Sequence, residues 1–302
     1  MIIWKDFLHK YNISEEFFKD ADISREDLEY IYTDYLSKQR LFTDIMKEFV
    51  DRYLSDLDKS KFHSFRYRIK EPEHLIEKII RKRKENYRKY KDLTKDNYLK
   101  FITDIIGIRG LILFKEQWID FHKYIIDIFE NSSLQYINDY IRDFDEDINH
   151  TYIAEPPVAH IRDGDDRRMY RHILRDECIL SRKIYRSVHY VLKYRGIYLE
   201  IQVRTLFEEG WGEIEHDIVY PYNINDKNLI NYSKLLNRLV GLADEMGSYF
   251  NTLRTETADI TINGVTAKEQ GPGIASDINM YKDDNLEDLA TPNDIVNHIL
   301  HE

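Results

Sequence analysis

Glu200, Gln202 and Arg204 alternate with Leu199, Ile201 and Val203 in a stretch, Ile197–Arg204, that reads as a β-strand. Side chains of a strand point alternately to its two faces, so a carboxylate, an amide and a guanidinium line up on one side while the other stays apolar. Arg66, Arg68 and Lys70 repeat the pattern within Phe62–Lys70, against Phe65, Tyr67 and Ile69. Their spacing sets three cations at intervals of about 6–7 Å. Ion pairing within the protein could satisfy them, but a triphosphate fits their number and spacing better. Two carboxylates, Asp104 and Glu200, fall on or beside other strand-forming stretches. A pair of carboxylates next to phosphate-binding cations suits Mg²⁺ held between protein and nucleotide.

Positioning these groups requires strands at 62–70, 105–114, 134–142, 184–194 and 197–204, the last two joined by a tight turn at Arg195-Gly196. Ser24–Leu57 reads as one long helix, opened by Ser24 with Asp27 at the capping-box offset and apolar at Leu28, Ile31, Tyr35, Phe42, Ile45 and Phe49. Pro72 starts a helix carrying Leu75, Ile76, Ile79 and Ile80, as proline is tolerated in a first turn. Trp118–Phe129 and Leu206–Asp217 are further helices, and Pro156-Pro157 and Gly164 mark 143–168 as a loop. Leu229, Tyr232, Leu236, Leu239, Ala243, Met246 and Phe250 mark a helix at nearly heptad spacing, a pattern of core or of a dimer seam rather than of a ligand site. The expected fold is α+β: a mixed central sheet of about five strands flanked by helices, with helical N- and C-terminal extensions. Boundaries fall at 1–60 (N-terminal helices), 61–222 (the sheet domain), 223–254 (C-terminal helix) and 255–302 (acidic tail, tethered through Gly271-Pro-Gly273).

The chain has 302 residues, 42% hydrophobic and 33% charged, which is ordinary for a globular protein. No apolar run is long enough to span a bilayer and no basic leader opens the chain, so a cytoplasmic protein with no membrane partner is expected. Cys178 is the single cysteine, which excludes an intrachain disulfide and a cysteine-rich metal site; beside Ile179 and Leu180 it reads as a small buried hydrophobe. Net charge is −11, yet Lys61–Lys95 holds 13 Lys or Arg against 5 Asp or Glu, and Thr255–Glu302 holds 2 against 10. The basic segment, with Arg81-Lys82-Arg83-Lys84 at its centre, either meets a polyanion or is a solvated helix face.

Taken in order, these residues resemble the synthetase domain of the RelA/SpoT family, the alarmone synthetases, over about residues 60–222. The family's Arg-x-Lys-x-Pro-x-Ser-x-x-x-Lys is matched by Arg68, Lys70, Pro72 and Lys78, with His74 in the serine position. Asp-x-x-Gly-Ile-Arg is matched by Asp104, Gly107, Ile108 and Arg109, and Gly-Tyr-x-Ser-x-His by Tyr185, Ser187 and His189, with Ile184 for glycine. Glu-x-Gln-x-Arg-Thr is matched by Glu200, Gln202, Arg204 and Thr205, and a following Glu-His by Glu215 and His216, ahead of Tyr220.

The resemblance implies a nucleotidyltransferase-like fold and an ATP-dependent pyrophosphokinase that moves the β,γ-pyrophosphate of ATP to the 3′-hydroxyl of GDP or GTP. It implies that Arg68 and Arg109 flank the adenine, that Lys70 and Lys78 hold ATP phosphates, and that Asp104 binds Mg²⁺. Tyr185 would stack on the acceptor base, with Ser187, His189, Gln202, Arg204 and His216 around the acceptor. Glu200 would complete the metal site or take the hydroxyl proton. One conflict stands: simple alternation puts Asp104 and Arg109 on opposite faces, so either Asp104 precedes its strand or Gly107 marks a bulge.

Where members that use GDP or GTP carry Pro-Lys-x-Asn-Gly, with the lysine on the acceptor's 5′-phosphates, this chain reads Leu180-Ser-Arg-Lys-Ile184; Arg182 or Lys183 is the substitute. The change also resembles toxic members that pyrophosphorylate the 3′ end of tRNA and have an antitoxin partner. Residues 78–91 and the arginines at 167, 168, 171 and 175 would then grip the RNA backbone. A non-catalytic nucleotide-sensing module is the alternative of another class, which the two carboxylates argue against. The 60 residues before the synthetase region are too few for the family's hydrolase domain, and self-association through the flanking helices is expected.

Overall fold

The computed structural model describes residues 2–57, 61–129, 152–182, 185–219 and 226–268, with side chains to residue 255. Residues 1–251 form one compact unit and 252–302 a second. Four helices precede the sheet: α1 (Trp4–Lys10), α2 (Glu15–Asp20), α3 (Arg25–Ser37) and α4 (Gln39–Tyr53). The single helix expected over 24–57 is thus two. Lys38, at φ −94° and ψ −3°, forms a turn between them. Ser24 does cap α3, its Oγ accepting from Asp27 N at 3.0 Å, and the stripe Leu28, Ile31, Tyr35, Phe42, Ile45 and Phe49 is buried throughout.

Six strands form one mixed sheet in the order β1-β2-β6-β5-β3-β4, with β1 Ser64–Ile69, β2 Ile106–Ile112, β3 Tyr152–Arg162, β4 Ile179–Arg182, β5 Ser187–Tyr194 and β6 Ile197–Thr205. β2 runs parallel to β6, and β3 parallel to β4; the other pairs are antiparallel. Two of these strands correct the sequence expectation: β3 lies in the stretch read as a loop, and β4 was not foreseen. Pro156-Pro157 is compatible with β3 because it falls at a register shift between Glu155 and Val158, before the stretch that pairs with β4. A proline there interrupts no ladder on that side. The strand expected at 134–142 lies outside the described residues. β5 and β6 turn at Arg195 (φ 48°) and Gly196 (φ 77°), the paired positive φ of a type I′ hairpin.

Phe121 and Ile125 of α8 (Trp118–Phe129) pack with Tyr190, Leu199 and Ile201 in the core. α5 (Pro72–Glu85) opens on Pro72 and buries Leu75, Ile76, Ile79 and Ile80 as expected. Cys178 is buried. After β6, Thr205 caps α10 (Leu206–Ile218), and α11 runs from Lys227 to Lys268, well past the break expected at Arg254. The buried side of α11 is polar or small. Asp244 takes Arg186 Nη1 at 2.9 Å, Ser233 O takes Trp211 Nε1 at 3.1 Å, and a Cβ on Gly241 would stand 2.5 Å from Arg162 Nη1. No helix among the described residues is long and apolar enough to cross a membrane.

Candidate functional site

Register pairing assigns the polar rows to one face. Glu200 stands beside Gly107, Gln202 beside Arg109 and His189, and Arg66 beside Arg109. No register shift occurs at Gly107, and β2 begins at Ile106, so Asp104 precedes the strand and the conflict over Arg109 dissolves. The backbone then brings Asp104 to Lys70: Lys70 N donates to Ile105 O at 2.9 Å, closing the end of β1 against the start of β2. Tyr35 Oη of α3 donates to Lys70 O at 2.7 Å and fixes that corner from the N-terminal side.

Asp104 Oδ2 meets Lys70 Nζ and Lys78 Nζ, each at 2.8 Å, while its Oδ1 is buried with no hydrogen-bond partner. Burial works to raise the Asp104 pKa, but the two ammonium groups prevail and hold it at about 2. Arg68 is exposed and has no ion pair among the described residues. Of the three cations read as needing an anion, Arg68 is therefore the free one. Arg66 is engaged by Glu209 of α10 at 3.1 Å, and Lys70 by Asp104. His74 and His216 face each other with ring centroids 6.4 Å apart, and burial, then Lys70 and His216, depress the His74 pKa. His216 thus stands beside His74, next to Lys70.

The second half of the face is a hydrogen-bonded row. Arg204 Nη2 donates to Gln202 Oε1 (3.2 Å), Gln202 Nε2 to Glu200 Oε2 (2.9 Å), Glu200 Oε1 takes His189 Nδ1 (2.9 Å), and His189 Nε2 meets Tyr185 Oη (2.9 Å). An anionic Glu200 needs Nδ1–H, so Nε2 is the lone pair that accepts the tyrosine hydroxyl. Burial opposes ionisation of Glu200, but His189 and Gln202 bring its pKa below the usual carboxylate value. Its charge is also felt by Asp104's field, which places both carboxylates in one electrostatic neighbourhood. Ser187 is 1% exposed and donates to Val203 O at 3.3 Å, so it acts on the site only through its neighbours.

Three residues of this face escaped the sequence. His160 on β3 packs its ring 4.6 Å from His189 and 5.7 Å from Tyr185, and Arg182 Nε donates to its Nδ1 at 3.3 Å. Glu209 and Glu213 lie one helical turn apart on α10; Arg109 Nη1 meets Glu209 at 2.9 Å and also Glu213. Arg204 Nε lies 3.0 Å from Glu209 Oε2 without the alignment of a hydrogen bond. The alternation of Val158, His160 and Arg162 with Ala159 and Ile161, and the i,i+4 spacing of the two glutamates, were the available signals.

Much of the basic segment is committed to structure. Arg81 pairs with Glu77 and Glu85, Lys84 with Asp20, and buried Arg83 donates to backbone carbonyls. Likewise Arg168 pairs with Asp166, Arg171 with Asp176 and Arg175 with Glu177, while Arg167 donates to Ile179 O.

Burial holds the His160 and His122 pKa values near 4, His160 being further opposed by His189 and Arg182. The unfolded chain binds these protons near pH 6.5 and the folded chain near 4, so stability falls as pH drops through that interval, by up to roughly 3 kcal/mol per histidine. Asp104 has the depressed-carboxylate sign: its contribution is complete above about pH 4 and is lost as pH falls toward 2. Urea titrations at stepped pH should show the loss between 6.5 and 4, and His122→Gln should flatten it by about half. An unchanged slope in that variant would refute the assignment.

Among the described residues, no group of three or more His, Cys, Asp or Glu is arranged to hold a metal by itself. A hard cation shared with phosphate oxygens needs only one or two carboxylates, and the unsatisfied Oδ1 of Asp104 is a donor of that kind.

This sheet, with one charged face engaged by side chains of α5 and α10, defines an α+β domain. The chain belongs to the RelA/SpoT family: the model of the region found in RelA/SpoT proteins matches residues 67–225, more than half of its length. Among solved structures it is similar to the small alarmone synthetase 1 of Bacillus subtilis bound to its product pppGpp, at 18% identity over 74% of this chain and 94% of that one, TM-score 0.43. It is also similar to a GTP pyrophosphokinase family protein of Streptococcus pneumoniae (19% identity, 90% of this chain, 100% of that one, TM-score 0.38) and to the small alarmone synthetase 2 of B. subtilis (16%, 74%, 97%, TM-score 0.43). No curated protein sequence matches it.

Proposed function

We propose that the chain is an ATP-dependent pyrophosphokinase whose acceptor is GDP or GTP. The acceptor's 3′-oxygen attacks the β-phosphorus of ATP, the bond from that phosphorus to the α,β-bridging oxygen breaks, AMP leaves, and the hydroxyl proton passes to Glu200. The observations that carry this reading are the row Tyr185–His189–Glu200–Gln202 and the cluster of Asp104 with Lys70 and Lys78. The row fixes Glu200 as an oriented anion with lone pairs to spare. Lys70, Lys78 and the free Arg68 would take the phosphates and the adenine of ATP, and Arg109, drawn toward α10, would close the adenine from the other side. Asp104 through Oδ1, with Glu200, would hold Mg²⁺, which supplies neutralisation of the phosphate charge.

Arg182 favours a nucleotide acceptor. It stands at the end of β4, joined to His160 beside Tyr185, where it can take the 5′-phosphates in place of the lysine that the chain lacks. The pyrophosphorylation of a tRNA 3′ end is the second reading, favoured by the departure at 180–184. The ion pairs of residues 81, 84, 168, 171 and 175 weaken it. Incubation with γ-labelled ATP and, separately, GDP, GTP and deacylated tRNA decides: label is expected in the guanosine nucleotides. Label in tRNA alone would replace the first reading by the second, and label in none would leave a nucleotide-binding module.

Donor and acceptor roles separate by kinetics. Arg68→Ala should raise the KM for ATP at least ~10-fold with little change for the acceptor, and Arg182→Ala should do the reverse. Equal effects on both substrates would break the division of the face into two halves.

A further inference from the structure

Tyr185 is held from two directions. Its hydroxyl meets His189 Nε2 at 2.9 Å, and the residue that follows it, Arg186, is 7% exposed and bound at every guanidinium nitrogen. Nε and Nη2 donate to Asp165 Oδ2 and Oδ1 at 2.9 and 2.7 Å, and Nη1 donates to Asp244 Oδ2 at 2.9 Å. A planar fork gripped bidentately on one side and again on the other is held in one orientation, and its buried stem then fixes the main chain that carries it. The Cα of Tyr185 is one trans peptide, about 3.8 Å, away.

The two carboxylates come from different places. Asp165 belongs to the turn after β3, where Arg162 N donates to its Oδ2 at 2.9 Å. Asp244 belongs to α11, is 1% exposed, and lies beyond residues 67–225, the region found in RelA/SpoT proteins. The side of α11 that faces the domain is Ser233, Asn237, Gly241 and Asp244, all buried, while Tyr232, Leu239 and Met246 of its apolar stripe are exposed. Gly241, nearly one turn before Asp244, lets the helix come close, because Arg162 Nη1 occupies the space of a side chain there. Docking alone does not call for a carboxylate at 244, since apolar residues in place of a buried ion pair often cost no stability. Fixing a guanidinium does call for one.

We propose that Asp244 is a positioning residue for the acceptor: through Arg186 it fixes the main chain at Tyr185, so that the docked α11 holds the tyrosine ring in the plane on which the acceptor base stacks. This role rests on the reading of Tyr185 as the base-stacking residue and assigns part of the acceptor affinity to a helix outside the sheet domain. A ring already in place binds a base more tightly than one that must be ordered as the base arrives.

Asp244→Ala should raise the KM for GDP or GTP at least ~10-fold, with the KM for ATP within about twofold of wild type. Asp244→Asn, whose amide oxygen still accepts from Arg186 Nη1, should recover most of the loss. Trp211→Phe removes another anchor of α11, the bond from Trp211 Nε1 to Ser233 O, without touching Arg186; it should loosen the helix and leave the acceptor KM unchanged. Hydrogen exchange reads the clamp without turnover: amides of 185–190 should exchange at least ~10-fold faster in Asp244→Ala than in the wild type, and those of 64–69 at the wild-type rate. An equal rise in both KM values, an acceptor KM raised as much by Trp211→Phe, or unchanged exchange at 185–190 would overturn the role. A wild-type chain that transfers pyrophosphate to no acceptor would overturn the reading of Tyr185 and this role with it, while faster exchange in Asp244→Ala would still show the clamp.

Discussion

Asp104→Asn and Glu200→Gln should each reduce pyrophosphate transfer by at least ~10³-fold while leaving the fold intact, a loss of about 4 kcal/mol or more of transition-state stabilisation. Asp104 carries the expectation on geometry. Its Oδ2 balances two lysine ammonium groups, and its Oδ1 is a buried oxygen with nothing bound to it. The asparagine keeps the shape and removes the charge, so Lys70 and Lys78 would lose their counter-ion at the same time as a cation would lose its ligand. For Glu200 the glutamine preserves the volume but cannot accept from both His189 and Gln202 while also taking a proton. The two losses should differ in pH behaviour: base-deficient Glu200→Gln should recover partially at high pH, where hydroxide removes the proton, and Asp104→Asn should not. Rapid quench with labelled ATP reads both. A variant retaining a tenth of the wild-type rate would remove its carboxylate from the reaction.

The part of this site visible in the sequence is the part that alternates. β1, β2, β5 and β6 declare themselves because one face of each is apolar, and their polar residues then fall into place by period alone. β3 did not, because Pro156-Pro157 imitates a loop; a bulge at Glu155 absorbs the prolines, and His160 went unseen with the strand that carries it. Pairing was illegible for a different reason. The sequence states that Arg66, Arg68 and Lys70 share a face but not that α10 returns Glu209 and Glu213 over Arg66 and Arg109, contacts between residues 100 to 143 positions apart in the chain. α11 shows the same limit: period found a stripe, and only the fold shows that the stripe faces out because Asp244 and Ser233 have partners within.

Arg83→Met should destabilise the protein by about 3–5 kcal/mol, lowering the melting temperature by roughly 10 °C, with no direct loss at the active site. The Arg81-Lys82-Arg83-Lys84 run reads from sequence either as a contact for a polyanion or as a solvated helix face, yet Arg83 is 4% exposed. Its Nε donates to Ala21 O at 2.7 Å, its Nη1 to the carbonyls of Tyr90, Lys91 and Leu93 at 2.9–3.1 Å, and its Nη2 to Asp22 O. One guanidinium therefore ends α5, gathers the turn after it and anchors the link between α2 and α3. Methionine preserves the stem's packing but leaves those carbonyls without a donor, several of them out of reach of water. The exposed neighbours Arg88 and Lys91 make the control: their alanine variants should stay within about 0.5 kcal/mol of wild type in stability. If the run were instead an RNA-binding face, Arg83→Met would spare the fold and weaken tRNA affinity, with a shallower salt dependence. Urea unfolding followed by circular dichroism, alongside filter binding of tRNA at two salt concentrations, separates the two outcomes. Unchanged stability in Arg83→Met would hand the basic run back to a polyanionic partner.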